Sequence, residues 1–178
     1  MIEYRVRSTR TRAGSAARRA ADIIAVLLIC LLLVFLLFKF ALVPSVVKAT
    51  HVSDISEGEL VLVDRVSRFI SDYSVGDIVC ADLGEGASFY RVAAAGGSAY
   101  QVRNSKAYLD GALIDESAYS EGWKGVEFGV TVPEYSLLLL PDGREGINDL
   151  SAYIIEYNSV YGEVRFRVSP LSRLAIFS

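Results

Sequence analysis

The chain has 178 residues, enough for one membrane anchor and one domain of ordinary size. Its formal net charge of −3 hides a division: residues 1–22 carry six arginines against Glu3 and Asp22, a net of +4, while residues 44–178 carry 11 basic and 19 acidic side chains, a net of −8. So acidic a domain repels nucleic-acid backbones, and a single histidine with no CxxC or HExxH spacing argues against a metal or a cofactor.

Between the charged parts lies IIAVLLICLLLVFLLFKFALV, residues 23–43, interrupted only by Lys39. A helix of this length reaches about 31 Å, the thickness of a bilayer core, and Lys39 sits near one end, where it can snorkel to the interface. Three parts follow: a basic N-terminus (1–22), a signal-anchor helix (23–43) and a C-terminal domain (44–178). The flanking arginines predict a single-pass cell-membrane protein with its N-terminus cytoplasmic and its domain outside. A cleaved signal peptide is the alternative, but its apolar core runs about 7 to 15 residues. Here Ile23 to Phe38 is an unbroken run of 16, and Val47-Lys48-Ala49 lies well beyond it. Cys30 in the span and Cys80 in a predicted strand make no intramolecular bridge.

After Pro44 short apolar runs alternate with turn signals, the pattern of a mainly β, antiparallel domain. Strands are expected at 60–66, 77–81, 89–95, 100–103, 107–109, 112–114, 127–132, 135–140 and 161–168. Asp110-Gly111 is the strongest hairpin signal, since both turn positions tolerate positive φ. Trp123, in a loop over 117–125, is expected to pack that loop down.

Residues 48–65, KATHVSDISEGELVLVDR, are similar to the nucleophile box of type I signal peptidases, S-M-x-P-T-L-x-x-G-D followed by an apolar strand. Anchored on Gly58-Glu59, Thr50 falls where that family has serine, His51 on the methionine and Ser53 on the proline. Further segments resemble the family in order. Val75-Gly76-Asp77-Ile78-Val79 is like its G-D-I-V strand, and Tyr90-Arg91-Val92 through Gly97 like its K-R-V segment. Tyr108 to Glu116 is like its N-G hairpin, and Val132-Pro133 with 137–149 like V-P-x and G-D-N-R-x-x-S-x-D-S-R. Gly162 to Leu171 is like its last strand.

The resemblance implies a signal-peptidase-like β domain behind one transmembrane helix, and a serine-lysine dyad whose parts are replaced. Thr50 holds the nucleophile position, Tyr90 the general-base position and Ile147 that of the serine that orients the base. A neutral, desolvated lysine does that work in the family, whereas a tyrosine with a pKa of about 10 would have to ionise first. Thr50 keeps a hydroxyl, so a divergent active peptidase using it stays open, with Ser53 and Ser56 as off-register hydroxyls and Lys48, Lys106 and Lys124 as the lysines outside the membrane region. The joint replacement points instead to a serine peptidase homologue without catalysis, a pseudoenzyme. Arg91, Asp142, Arg144 and Asp149 match charged positions that form ion pairs around the family's site, Arg91 being expected to pair with Asp142. An ordinary turn at 141–144 is the plainer alternative. Thr50, His51, Val52, Ser53 and Phe89 are expected to line a groove for an extended peptide, whose backbone hydrogen bonds need no dyad. Inactive signal peptidase-like proteins of Gram-positive bacteria assist sortase-dependent pilus assembly. The resemblance therefore extends to a secreted protein or pilin precursor as partner, with sortase. A tethered β domain of unrelated function would lack adjacency between the Thr50 and Tyr90 segments.

Overall fold

Residues 10–70, 73–118, 120 and 122–177 are described by the computed structural model, and they fall into two units divided between Phe40 and Ala41. The first unit contains helix α1 (Arg10–Phe40), which no proline interrupts. Its window Ala17–Leu36 has a mean hydropathy of 2.6 and is exposed throughout, and among the described residues α1 is the one helix long and apolar enough to cross a membrane. Residues 1–9 of the basic segment, Arg5 and Arg7 included, lie outside the described residues, as do Tyr119 and Glu121 of the Trp123 loop.

The apolar run divides differently from the expected span over 23–43. α1 stops at Phe40, and Leu42 enters a strand, β1 (Leu42–Val46), antiparallel to β2 (Leu60–Asp64). An apolar run reads alike for a bilayer and for a sheet face. Pro44, which lacks an N–H, is tolerated because β1 lies at the sheet edge.

The second unit is mainly β and antiparallel, as the alternating pattern predicts. After a short helix, α2 (Ser67–Ile70), come β3 (Ile78–Asp82), β4 (Ala87–Ala95), β5 (Ala99–Arg103), β6 (Lys106–Leu109), β7 (Ala112–Ile114), β8 (Phe128–Thr131) and β9 (Ser136–Leu140). β10 (Ile154–Glu156), β11 (Val160–Ser169) and β12 (Ala175–Ile176) complete the chain. The larger sheet runs β1-β2-β11-β3-β4-β9-β10, with β12 added to β11; the smaller runs β7-β6-β5-β8. Like β1, the short strands β10 and β12 escaped the sequence reading, because two or three residues are too few to show a period.

Asp110 and Gly111 both have positive φ (50° and 82°), which closes the β6–β7 hairpin, and Asp110 Oδ1 also accepts the Ala99 N–H at 2.8 Å. All five residues of β9 are buried. Leu137 and Leu139 face a core with Val79, Tyr90, Val92 and Val160, whereas Leu138 and Leu140 face another with Tyr100, Trp123, Ile147 and Leu150. An unbroken leucine run is what a strand covered on both faces requires. At about 1.5–3 kcal/mol per buried leucine, β9 is a main source of cohesion.

β11 crosses β2 so closely at Gly162 that a Cβ there would meet the Asp64 carbonyl oxygen at 2.4 Å. The Cβ is fixed by the paired backbone of Gly162 and the oxygen belongs to the paired backbone of Asp64, so neither can give way easily. Gly162→Ala is expected to cost about 1–3 kcal/mol by overpacking, read as a lowered urea midpoint. An unchanged midpoint would mean that the strands can slide apart freely.

Candidate functional site

β4 carries the centre of the site. It pairs with β3 along Ala87–Arg91 and with β9 from Arg91 onward. On the β9 side, ahead of Arg91, the segment around Thr50 takes the place of a strand: Thr50 bridges Phe89 in parallel, and the His51 N–H donates to the Phe89 carbonyl at 3.0 Å. The Asp142 N–H, in the turn after β9, donates to the His51 carbonyl at 2.7 Å. The Thr50 and Tyr90 segments are therefore neighbours, and the reading as an unrelated β domain loses its support.

Thr50 is partly buried, and its hydroxyl is engaged locally. Oγ1 accepts the Val52 N–H at 3.1 Å and donates to the Val52 carbonyl at 3.3 Å. The exposed His51 ring stacks on Tyr90 with centroids 4.7 Å apart and planes 19° apart. Tyr90 is only 5% exposed. Burial raises its pKa above 10.0, and the carboxylates of Glu85 and Asp82 push the same way, so the phenol stays protonated at neutral pH. Val52 and Phe89 are buried in a core with Val47, Ile55, Val61 and Val164, which fixes the floor beneath this segment. Ile147 is buried among Trp123, Leu138 and Leu150. The lysines of this unit, Lys48, Lys106 and Lys124, are all exposed, and Lys124 pairs at the surface with Glu145.

A buried charge cluster holds the segment after Thr50. Arg91 Nε donates to Asp142 Oδ1 at 2.9 Å, while its Nη2 donates to Asp142 Oδ2 at 3.0 Å and to Asp54 Oδ2 at 2.6 Å. Asp142 Oδ2 also accepts the Ser53 N–H and hydroxyl at 2.7 and 2.8 Å. Arg91 and Asp142 are nearly inaccessible, so this is a desolvated bidentate pair. A second clamp closes from β11 and the turn that follows it. Glu59, 5% exposed, takes Arg173 at 2.6 Å and Arg167 at 3.6 Å, and Arg167 also donates to the Asp54 carbonyl.

Asp142 makes stability pH-dependent. Burial alone would raise its pKa, but the hydrogen bonds from Arg91 and Ser53 and the charge of Arg91 outweigh burial and hold it below 3.8. A depressed carboxylate stabilises the fold fully above its unfolded pKa and loses that contribution as pH falls through its folded one. The wild-type chain is therefore expected to weaken on acidification below about pH 4. Asp142→Asn should be less stable at pH 7 and flatter in acid, read from urea midpoints across pH 2–7. Parallel curves for the two proteins would remove Asp142 as the titrating group.

The remaining charged candidates separate. Arg144 Nη2 donates to Glu116 Oε1 at 2.8 Å, and the Tyr100 hydroxyl joins the same oxygen at 3.1 Å. The Trp123 indole N–H donates to the Tyr100 hydroxyl at 3.2 Å, so Trp123 anchors its loop over the smaller sheet. Asp149, read with the ion-pair set, is corrected: it is exposed and accepts the Ser151 N–H and hydroxyl at 2.8 and 2.6 Å, with no arginine partner among the described residues. Such an Asx turn satisfies the carboxylate locally. Glu116, Asp54, Glu59, Arg167 and Arg173 were not singled out as ion-pair residues from sequence; the signals available were the Gly58-Glu59 pair, the hairpin resemblance that ends at Glu116 and the last-strand resemblance that contains Arg167.

The family described as Signal peptidase, peptidase S26, matches residues 20–168. "Probable signal peptidase I-1" of Synechocystis sp. is 27% identical over 84% of this chain and 83% of its own length. "Signal peptidase I" of Bacillus licheniformis is 26% identical over 83% of this chain and 88% of its own. Among solved structures, a signal peptidase I from Enterococcus faecalis V583 aligns at a TM-score of 0.42 and 19% identity, covering 52% of this chain and 96% of that one. This chain belongs to the signal peptidase family, peptidase S26. Membership and the apolar helix α1 together point to a membrane-anchored protein.

Proposed function

We propose that this chain is a membrane-anchored signal peptidase homologue without a working dyad, which binds secreted precursor polypeptides in extended form outside the cytoplasm. The observation that most supports this reading is the Thr50 hydroxyl, whose hydrogen bonds all go to the Val52 backbone while every lysine of the β domain is exposed. General-base activation needs a basic group within hydrogen-bond reach of the nucleophile. Tyr90, protonated and covered by His51, supplies none. Binding does not need one. Beside Thr50, the exposed Ala87 at the start of β4 has no strand partner on the side away from β3 among the described residues, which leaves a short edge to which a peptide can add. The arginines of residues 1–22 favour a cytoplasmic N-terminus, with the β domain outside the cell membrane. A pilin precursor, handled with a sortase, is the narrower partner that the sequence resemblance suggests.

The full chain in detergent micelles, mixed with a radiolabelled preprotein, tests the reading. No cleavage above the buffer blank is expected, with the preprotein retained on the immobilised chain. Cleavage that Thr50→Ala abolishes would instead establish the divergent active peptidase.

A further inference from the structure

A second concave surface lies at the other end of β9 from Asp142, five strand residues or about 17 Å away. It is a cavity of about 780 Å³ lined by Phe69, Tyr135 and Tyr157 together with Glu134 and Glu156. Its described lining carries no lysine or arginine. Two of the rings stand out in solvent, Phe69 at 73% and Tyr135 at 77% exposure. The third, Tyr157, leans on the buried ring of Tyr73, centroids 5.6 Å apart, and its N–H donates to the Tyr135 carbonyl at 2.9 Å.

The backbone under Tyr135 is unusual. The Ser136 N–H donates to the Pro133 carbonyl at 3.2 Å, closing a turn in which Tyr135 has φ +60°. That turn position favours glycine or asparagine, and a bulky aromatic residue there is strained. Strain of this kind persists only where the surroundings impose it. Gly96 does so: a Cβ there would lie 2.9 Å from the Tyr135 nitrogen and 3.0 Å from the Pro133 carbonyl oxygen, so the β4–β5 turn presses directly on this one. The outcome is a large ring held outward, burying little of itself, over an acidic hollow.

We infer that this aromatic and acidic cleft is a docking site for a lysine- or arginine-bearing segment of a polypeptide partner. Cations are attracted to the faces of aromatic rings, and two glutamates in the same lining add a field of the same preference. Residues 44–178 carry a net of −8, which draws a basic segment toward the domain before contact. The volume exceeds one side chain and suits a short stretch of peptide. The site uses neither Thr50 nor the β4 edge, so it stands whether or not the chain cleaves precursors.

Fluorescence anisotropy of the full chain in dodecyl maltoside with a fluorescein-labelled Gly-Lys-Arg-Lys-Gly peptide tests the assignment. Saturable binding is expected, falling at least tenfold from 50 to 500 mM salt, and absent for the matched Gly-Glu-Asp-Glu-Gly peptide. Tyr135→Gly should lose at least tenfold in affinity without a lowered Tm, because glycine accepts the turn's φ and the fold is spared. The Glu134→Gln, Glu156→Gln double variant should lose a similar factor and much of the salt dependence. Equal binding by Tyr135→Gly, equal binding of the acidic peptide, or no saturable binding of the basic peptide would overturn the site. Displacement of the basic peptide by phosphocholine vesicles, with direct vesicle binding lost in Tyr135→Gly, would overturn the peptide in favour of a lipid headgroup.

Discussion

Arg91→Met is expected to destabilise the β domain by about 3–5 kcal/mol, the usual cost of stripping one partner from a buried ion pair. Methionine restores most of the aliphatic volume, so the loss isolates the charge. Asp142, left in place, would be an almost inaccessible carboxylate whose remaining donors are Ser53 N–H and Oγ. The carboxylate of Asp54 would lose its arginine as well, at smaller cost because its side chain is 47% exposed. The effect spreads through geometry: Asp54 and the Asp142 turn meet at the guanidinium, and Ser53 hangs on Asp142, so the segment after Thr50 loses part of its tether to β4. Urea unfolding of the full chain in detergent measures it. A loss below about 1 kcal/mol would place the pair in the class of solvent-exposed bridges. Adding Asp142→Leu to Arg91→Met should recover part of the loss, since the unpaired buried charge then disappears.

Thr50→Ser with Tyr90→Lys and Ile147→Ser is expected to create cleavage of a preprotein at least about 100-fold above the buffer blank, to which the parent chain is held, the lower bound for a positioned general base. The reasoning follows the burial of each position. Tyr90 is almost fully enclosed, and a lysine in such a place is pushed toward neutrality by desolvation. Glu85 and Asp82, which raise the tyrosine pKa, would oppose this by favouring the ammonium form. Serine at 147 would add a hydroxyl where Ile147 now contributes only methyl groups to the core. Thr50→Ser alone should remain silent, because no base is gained. Its turnover, measured beside the triple variant, discriminates sharply. Cleavage by Thr50→Ser alone would mean that the parent chain already holds a base, and the pseudoenzyme reading would fall. Silence of a folded triple variant would mean that the scaffold around β4 has moved beyond repair by side chains.

Much of this architecture was legible because it is written in local patterns. The apolar helix, the strand alternation after Pro44 and the Asp110-Gly111 turn each depend on neighbours within a few residues, which is the range over which hydropathy and φ preference act. The leucine run of β9 announced a strand, but not that both of its faces lie in different cores. The limit of α1 was misplaced by three residues for a related reason: Ala41, Leu42 and Val43 are as apolar as the span before them, and only pairing with β2 makes Leu42 and Val43 strand residues.

Sequence alone determined the family resemblance, an apolar helix followed by a β domain, and which residues stand at Thr50, Tyr90 and Ile147, since these are matters of residue identity and order. Tertiary structure decided what those residues touch. It set the Thr50 hydroxyl on Val52, laid His51 over Tyr90, and gave Arg144 to Glu116 and not to Asp149. It also brought Asp54 to Arg91, and gathered Phe69, Tyr135 and Tyr157 around one hollow. Apart from the local Thr50–Val52 bonds, each of these contacts joins segments far apart in the chain, or rests on a positive φ that Tyr135 does not advertise. A side chain's partner is fixed by where the backbone carries it, and that is known only once the sheets have closed.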